Sequence, residues 1–168
     1  MKLLVIRHAV AMDREEFAES GQSDDMRPLT RAGMKEMKRV AKGLRREVDT
    51  IDVLATSPLL RATQTADIVA REYAMDVAEP TRSLIPEAEP DAVEEFCGSL
   101  GEVDVVAVVG HEPHLTGLVT WLMSGRRDGR VELKKGGACM LEFESGVRRD
   151  SGTLLWLATR GQLKRMAG

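Results

Sequence analysis

The sequence predicts an α/β fold in which a mostly parallel sheet with an antiparallel edge lies between two layers of helices. Three short apolar runs, at residues 3–6, 51–55 and 105–109, have the length and the branched side chains of strands buried on both faces. Helical patterns separate these runs, and such strand–helix alternation is typical of a three-layer α/β/α sandwich. The 168 residues suffice for a substantial core, so we expect a single domain over residues 1–168.

The first half of the chain alternates strands and helices. After the strand at residues 3–6, a polar and irregular stretch covers residues 9–29. Thr30 is then a suitable N-cap for a helix. Apolar residues recur along that helix at helical spacing: Met34, Met37, Val40, Ala41, Leu44 and Val48. A second amphipathic helix is predicted from Leu59 to about Met75.

The second half continues the pattern and then changes to paired strands. Residues 76–91 are rich in proline and acidic residues and predict a loop, which a short helix from about Asp91 to Leu100 follows. After the third strand, Pro113 fits the first turn of another helix. The last two strands, roughly Val131–Phe143 and Thr153–Thr159, are joined by a short connection, so we expect an antiparallel pair at one side of the sheet.

Composition and charge exclude several classes of protein. The net charge of −3 gives no basic excess for nucleic-acid binding. The apolar stretch before Arg7 is too short for a signal peptide, and no later run approaches membrane-spanning length. Cys97 and Cys139 are too few for a disulfide framework, which favours free thiols in a reducing compartment. We therefore expect a soluble cytoplasmic protein with no nucleic-acid and no membrane partner.

Cationic and imidazole side chains follow the predicted strands at the point where each strand ends. Arg7 and His8 follow the first strand, Arg61 comes shortly after the second, and His111 comes after the third. Ligands of open α/β sheets bind beyond the carboxyl ends of the strands, so we expect these four residues to converge there. The two imidazoles should lie within roughly 4–6 Å, close enough to contact one phosphoryl group.

Two arginines and two histidines together indicate phosphoryl chemistry. A guanidinium group binds phosphate bidentately and stays charged, and a histidine can attack phosphorus to form a phosphoimidazole. Neither cysteine has an arginine six positions later, and the chain has no Asp-x-Asp and no Gly-Lys, so cysteine-loop, aspartyl-phosphate and P-loop enzymes are excluded. His111 and His114 are three residues apart, but no ligand cluster completes a metal site. We expect no metal and no cofactor, and we expect His114 at the pocket rim or the surface.

Three motifs in order resemble those of the histidine phosphatase superfamily, which includes the phosphoglycerate mutases. They are Arg7-His8, Ser57-Pro58-x-x-Arg61-Ala62-x-x-Thr65-Ala66 and Gly110-His111-Glu112-Pro113. Within that superfamily, the short chain and Arg27-Pro28-Leu29-Thr30 resemble the SixA-type phosphohistidine phosphatases. The resemblance implies a phosphoglycerate mutase-like fold and a metal-independent phosphatase. His8 would be the nucleophile, its second ring nitrogen donating to a backbone carbonyl, and Arg7, Arg61 and His111 would bind the phosphoryl oxygens.

Two positions depart from the family pattern. The family usually has glycine after the histidine, and Ala9 would be strained there if the position needed a positive φ. For a general acid, Glu87 and Glu89 stand in the middle loop, although solvated loop glutamates are the preferred interpretation. Without a strong acid, an imidazole leaving group is favoured over an alkoxide, which favours phosphohistidine in a protein as the substrate.

Two alternatives stay open. One is a phosphatase of small phosphoesters or phosphoanhydrides, whose partner would be a small phosphorylated molecule. The other is a catalytically silent phosphate-binding module, against which the presence of both His8 and His111 argues.

Overall fold

The computed structural model describes residues 1–77 and 79–168, and within them five strands and six α-helices are formed. The strands are β1 (Lys2–Arg7), β2 (Val53–Thr56), β3 (Val105–Gly110), β4 (Ala138–Glu142) and β5 (Thr153–Ala158). The helices are α1 (Arg14–Ala18), α2 (Arg31–Glu47), α3 (Leu60–Tyr73), α4 (Pro90–Gly98), α5 (His114–Ser124) and α6 (Arg160–Met166). None of the helices in the described ranges is long and apolar enough to cross a membrane.

The sheet has the order β2-β3-β1-β4-β5. The first three strands run parallel, whereas β4 is antiparallel to both β1 and β5. The predicted fold class, mostly parallel with an antiparallel edge, is therefore confirmed. Pairing of β1 with β3 is in register up to Arg7 and Gly110, so both strands end side by side. His8 and His111, the residues that follow those two ends, are consequently neighbours.

Helices cover both faces of the sheet, as expected for three layers. Alternate residues of β1 supply the two cores because successive side chains of a strand point to opposite faces. Leu4 and Ile6 pack with residues of α2, α3 and α6, and Leu3 and Val5 pack with residues of α4 and α5. Every one of these four side chains is fully buried, which makes β1 a rigid base for the residues that follow it.

Local signals placed several helix ends correctly. Thr30 caps α2, its Oγ1 accepting a hydrogen bond from the backbone N–H of Gly33 at 2.8 Å. The helices predicted at Leu59 to Met75 and Asp91 to Leu100 are present as α3 and α4. Pro113 directly precedes α5 and occupies its N-cap. Within the predicted 76–91 loop, residue 78 lies outside the described residues.

Three features differ from the sequence prediction. The stretch 9–29 contains α1 and a 3-10 turn, Asp24–Met26, and is closed by a bridge between Ala11 and Leu29. Strand β4 is shorter than predicted because a turn before it carries Gly136 at a φ of 71°, which ends the extended backbone. Helix α6 was not predicted, since its seven residues bury only Leu163 and give no clear period.

The two cysteines are free and buried, as expected. Burial raises the pKa of each thiol to about 12, so both stay protonated at neutral pH. They act as core side chains, Cys97 on α4 and Cys139 on β4.

Candidate active site

Arg7, His8, Arg61 and His111 line one open cleft with a volume of about 1060 Å³ at the carboxyl edge of the parallel strands. The two histidine rings lie with their centroids 5.0 Å apart and are tilted by 51°. The predicted convergence and the predicted distance between the imidazoles are thus confirmed. Three elements build this arrangement: the ends of β1 and β3, and the first turn of α3.

His8 is held in one tautomer by its neighbour. Its Nδ1 lies 2.7 Å from the carbonyl oxygen of Ala9, and because a carbonyl only accepts, Nδ1 must donate. The lone pair is then on Nε2. Burial, together with the charges of Arg61 and Arg7, lowers the pKa of His8 to about 3, although the Ala9 hydrogen bond opposes this shift. At neutral pH the ring is therefore uncharged, as a nucleophile requires.

Ala9 causes no strain at the position where the family usually has glycine. The described non-glycine residues with positive φ are Ala74 and Asp150, so Ala9 has an ordinary backbone. Its N–H donates to Thr65 Oγ1 at 3.0 Å, and that hydroxyl donates to the carbonyl oxygen of Arg61 at 2.7 Å. The buried Thr65 hydroxyl therefore links Ala9, the residue whose carbonyl orients His8, to the helical turn that carries Arg61.

Arg7 and Arg61, the two predicted arginines, are each held through terminal nitrogens of the guanidinium group. Arg7 donates from Nη1 to the carbonyl oxygen of Leu133 at 2.7 Å. Arg61 donates from Nη1 to the carbonyl oxygen of Asp24 at 2.9 Å, and its Nη2 lies 3.2 Å from Asp24 Oδ2. In the described structure the Nε atoms of both arginines are buried and have no hydrogen-bond partner. Each arginine thus retains a buried N–H donor that an oxyanion can satisfy.

His111 is held from the β2 side of the site. Its Nε2 lies 2.9 Å from Ser57 Oγ, and its Nδ1 is buried without a partner among the described residues. The backbone N–H of Ser57 donates to the carbonyl oxygen of Val109 at 3.0 Å, which ties the end of β2 to β3. Burial, followed by the charges of His8 and Arg61, lowers the pKa of His111 to about 2. The ring is neutral at physiological pH, with Nδ1 available to a ligand.

Sequence reasoning missed Arg27 and Asp24 as residues of the cleft. Arg27 is buried, and it donates from Nε to Asp24 Oδ1 at 2.7 Å and from Nη1 to the carbonyl oxygen of Met12 at 2.8 Å. The only signal for Arg27 was the Arg-Pro-Leu-Thr segment, which marked the family but not a position in the site.

Further cationic side chains surround this inner wall. Arg14, Arg82 and Lys135 line the cleft nearer the solvent, where exposed carboxylates are interspersed among them. Partial burial and the nearby charges of Arg7 and Arg27 lower the pKa of Lys135. No group of three or more His, Cys, Asp or Glu residues suited to a metal ion occurs within residues 1–77 and 79–168.

The glutamates near the cleft differ in what they contact. Glu87 lines the cleft with an exposed side chain, whereas the exposed Glu89 is paired with Arg127. Glu112 also lines the cleft, and its Oε2 accepts a hydrogen bond from the backbone N–H of Thr116 at 3.1 Å, inside α5. Only Glu87 of the two predicted acid candidates is therefore placed where it could reach a leaving group.

The expectation that His114 lies at the rim or surface is wrong. Its side chain is 5% exposed, and neither ring nitrogen has a partner in the described part of the chain. The reason is that α5 begins at His114 and packs its first turn inward together with Leu115. Burial lowers the pKa of His114, so the ring is neutral at physiological pH.

Comparison with known proteins defines the class of this one. Residues 3–82 match the family model of the histidine phosphatase superfamily (branch 1). An uncharacterised protein of Picosynechococcus sp. is 31% identical over 163 residues, covering 89% of this chain and 88% of that protein. The chain belongs to the histidine phosphatase superfamily.

Solved structures place the fold within that superfamily. The protein histidine phosphatase SixA, complexed with tungstate, superposes with a TM-score of 0.80 at 26% identity, covering 97% of this chain and 99% of SixA. The alpha-ribazole phosphatase from Shigella flexneri superposes with a TM-score of 0.71 at 18% identity, covering 95% of this chain and 97% of that chain. The second likeness concerns the fold alone. The chain thus has the phosphoglycerate mutase-like fold of SixA.

Proposed function

We propose that this protein is a metal-independent phosphohistidine phosphatase of the SixA type, acting through a covalent phosphohistidine on His8. The observation that carries the proposal is the state of His8. Its neutral ring is held through Nδ1 by the Ala9 carbonyl at 2.7 Å, with Nε2 free in a buried site beside His111 and two arginines. The likeness to SixA supports the same assignment.

The reaction proceeds in two displacements at phosphorus. The phosphoryl oxygens first bind the unpartnered donors, Arg7 Nε, Arg61 Nε and His111 Nδ1. Nε2 of His8 then forms a bond to phosphorus as the bond from phosphorus to the leaving nitrogen breaks. The substrate imidazole already carries a proton on its other ring nitrogen, so it takes the electron pair of the broken bond and departs as a neutral ring. Water next attacks the phosphorus of phospho-His8, which releases inorganic phosphate and restores the neutral imidazole.

The hydrogen bond from His8 to Ala9 becomes stronger during the first displacement. Bond formation at Nε2 leaves the ring positively charged while Nδ1 keeps its hydrogen. A donor with positive charge makes the stronger, charge-assisted bond to the carbonyl oxygen. The Ala9 carbonyl therefore stabilises the transition state more than the free enzyme, which is what a rate increase requires.

His111 must carry its hydrogen on Nδ1 to donate to a phosphoryl oxygen. Ser57 Oγ accepts from the N–H of Leu59 at 3.4 Å and can give its own hydrogen to His111 Nε2 at 2.9 Å. That arrangement leaves Nδ1 protonated, and this N–H has no other partner among the described residues. Ser57 is accordingly assigned to set the tautomer of His111.

The leaving group favours phosphohistidine over ordinary phosphate esters. A protonated imidazole departs without a strong acid, whereas an alkoxide needs a proton from the enzyme. Glu112 accepts from the Thr116 N–H through Oε2 and keeps Oε1 buried without a partner among the described residues, and Glu87 is exposed to solvent. Esters should therefore be hydrolysed only as far as one of these two carboxyls can supply the proton. We propose that the partner is a phosphorylated protein in the cytoplasm. We also propose that residues 1–168 form one histidine phosphatase domain, which binds this partner.

The second candidate is hydrolysis of small phosphoesters or phosphoanhydrides at the same site. The placement of Glu87 in the cleft favours it, since a carboxyl there could protonate an alkoxide, and so does the fold shared with alpha-ribazole phosphatase. A silent phosphate-binding module is less favoured because all four motif residues stand in the cleft.

A substrate panel separates these candidates. Initial rates should be measured on a phosphohistidine peptide and on several small phosphoesters. The proteins compared are wild type, Glu87→Gln and, as the matched control, Glu89→Gln. We expect the highest kcat/KM on phosphohistidine, unchanged in both variants. Higher kcat/KM on an ester, lost in Glu87→Gln and kept in Glu89→Gln, would favour the second candidate.

Hydrolysis should also continue in excess EDTA. Arg7 and Arg61 supply the positive charge that Mg²⁺ supplies in other phosphoryl-transfer enzymes, and the neutral His111 adds an N–H donor. Loss of activity in EDTA that a divalent ion restores would contradict metal independence.

A further inference from the structure

We propose that Asp24 is a positioning residue that holds Arg61 and Arg27 in the orientation needed to bind the phosphoryl group. The inference rests on the proposed function, in which Arg61 binds phosphoryl oxygens. Asp24 begins the 3-10 turn Asp24–Met26, in the loop between β1 and α2, whereas Arg61 belongs to α3. The contact therefore joins two segments that are 37 residues apart in the chain.

Asp24 contacts three arginines. Its Oδ1 accepts from Arg27 Nε at 2.7 Å and lies 3.6 Å from Arg14 Nε. Its Oδ2 lies 3.2 Å from Arg61 Nη2, and its carbonyl oxygen accepts from Arg61 Nη1 at 2.9 Å. Arg27 and Arg61 are almost entirely buried, while the Asp24 side chain is 39% exposed. These contacts with Arg27, Arg61 and Arg14 hold the pKa of Asp24 below its usual value, although burial acts in the opposite direction.

These contacts fix the plane of the Arg61 guanidinium. The group is planar, so the hydrogen bond at Nη1 and the ion pair at Nη2 leave it little freedom to rotate. Its Nε stays without a hydrogen-bond partner in the described structure. The side of the fork that carries Nε presents parallel N–H groups from Nε and Nη2, the geometry that binds two oxygens of one phosphoryl group. Asp24 thus uses one end of Arg61 and leaves the other for the ligand.

A carboxylate this close to a phosphate site could instead act as a competitor of the substrate. Charge repulsion alone would make an anion bind more weakly in the presence of Asp24. Removal of the charge would then strengthen phosphate binding. Positioning predicts the opposite, because without the Asp24 carboxylate Nη2 of Arg61 loses its partner and the Nη1 bond to the backbone carbonyl alone holds the guanidinium. The sign of the change in affinity therefore decides between the two roles.

The test measures the affinity for inorganic phosphate, by calorimetry and as a competitive inhibition constant, together with kcat and KM on a phosphohistidine peptide. Asp24→Asn keeps the size of the side chain but removes its charge. We expect phosphate affinity to fall about tenfold and kcat/KM to fall about 10- to 100-fold, both by loss of alignment. Tighter or unchanged phosphate binding in Asp24→Asn would overturn the inference.

Two further variants complete the design. Asp67→Asn removes the same charge from an exposed residue of α3 that lies outside the cleft and makes no side-chain hydrogen bond or ion pair among the described residues, and it should stay within about twofold of wild type. Asp24→Glu keeps the negative charge but places it one methylene further from the backbone. Its phosphate affinity should lie between those of wild type and Asp24→Asn. If Asp24→Asn does not fold, Asp24→Glu decides alone, since wild-type affinity in that variant would contradict positioning.

The phosphate measurement also separates this inference from the proposed function. A wild-type protein that binds phosphate but does not hydrolyse phosphohistidine would refute the proposed function and leave the affinity comparison valid. A wild-type enzyme that is active, with Asp24→Asn equally active and equally tight for phosphate, would refute the role of Asp24 alone.

Discussion

Replacing Thr65 with valine should damage the site although Thr65 does not line the cleft. The Thr65 hydroxyl accepts from the Ala9 N–H at 3.0 Å, and Thr65 is fully buried. Valine has nearly the same shape but no acceptor, so the Ala9 N–H is left buried and unpaired, at a cost of about 1–3 kcal/mol in the free energy of unfolding. The same residue, Ala9, supplies the carbonyl that orients His8 through the next peptide group. We therefore expect kcat to fall about tenfold, which corresponds to about 1.4 kcal/mol of lost transition-state stabilisation.

Thr65→Ser is the matched control because it keeps the hydroxyl and removes only a methyl group. It should lose about 1 kcal/mol of stability through that missing group. Urea denaturation and steady-state kinetics on a phosphohistidine peptide should be run on both variants. We expect serine to retain wild-type kcat despite its lower stability. Valine with wild-type kcat, or serine with the same loss as valine, would refute the link from Thr65 through Ala9 to His8.

Three further predictions concern charge and protonation. Arg61→Ala should lower kcat/KM by about 10²–10³ and weaken phosphate binding, whereas Arg71→Ala, at the exposed end of the same helix, should change neither in the same assays. The free energy of unfolding, measured by urea titration in phosphate-free buffer, should decrease as the pH is lowered from about 6.5. The unfolded chain protonates its histidines in that range, whereas His8 and His111, with pKa values of about 3 and about 2, stay neutral in the folded protein. Each such histidine contributes a slope of at most about 1.4 kcal/mol per pH unit, and a flat profile from pH 7 to 5 would contradict the buried neutral rings. His114→Leu should keep wild-type activity, since the His114 ring is buried without partners in the described structure, and it should reduce that slope because burial lowers the pKa of His114. An activity loss beyond about threefold would show a role for His114.

The four motif residues could be located from the sequence because each one follows a strong local signal. Arg7, His8 and His111 come directly after apolar runs that could only be buried strands, and Arg61 comes in the first turn of the helix after another. Parallel strands share one carboxyl edge, so convergence follows from topology without knowledge of the loops. The 5.0 Å separation of the two imidazole ring centroids confirms it.

Asp24 and Arg27 could not be located in this way, because their positions depend on contacts between distant segments. The loop that carries them is folded back by the Ala11–Leu29 bridge and by the bond from Arg27 to the carbonyl oxygen of Met12. A polar stretch without a period gives no indication of either contact. The burial of His114 was missed for a related reason, since helical spacing shows which residues share a face but not how deeply the first turn is packed.

The most direct test of the proposed mechanism is to find the phosphorylated residue. Wild-type protein would be exposed briefly to a labile phosphodonor such as phosphoramidate, quenched in alkali, and mapped by peptide mass spectrometry, with His8→Ala treated in parallel. We predict an acid-labile phosphoryl group on His8 of the wild-type protein. The His8→Ala protein should still bind phosphate, but its activity should not exceed the rate without enzyme. A phosphoryl group on His111 or His114 instead, or substantial turnover by His8→Ala, would contradict the assignment of His8 as the nucleophile.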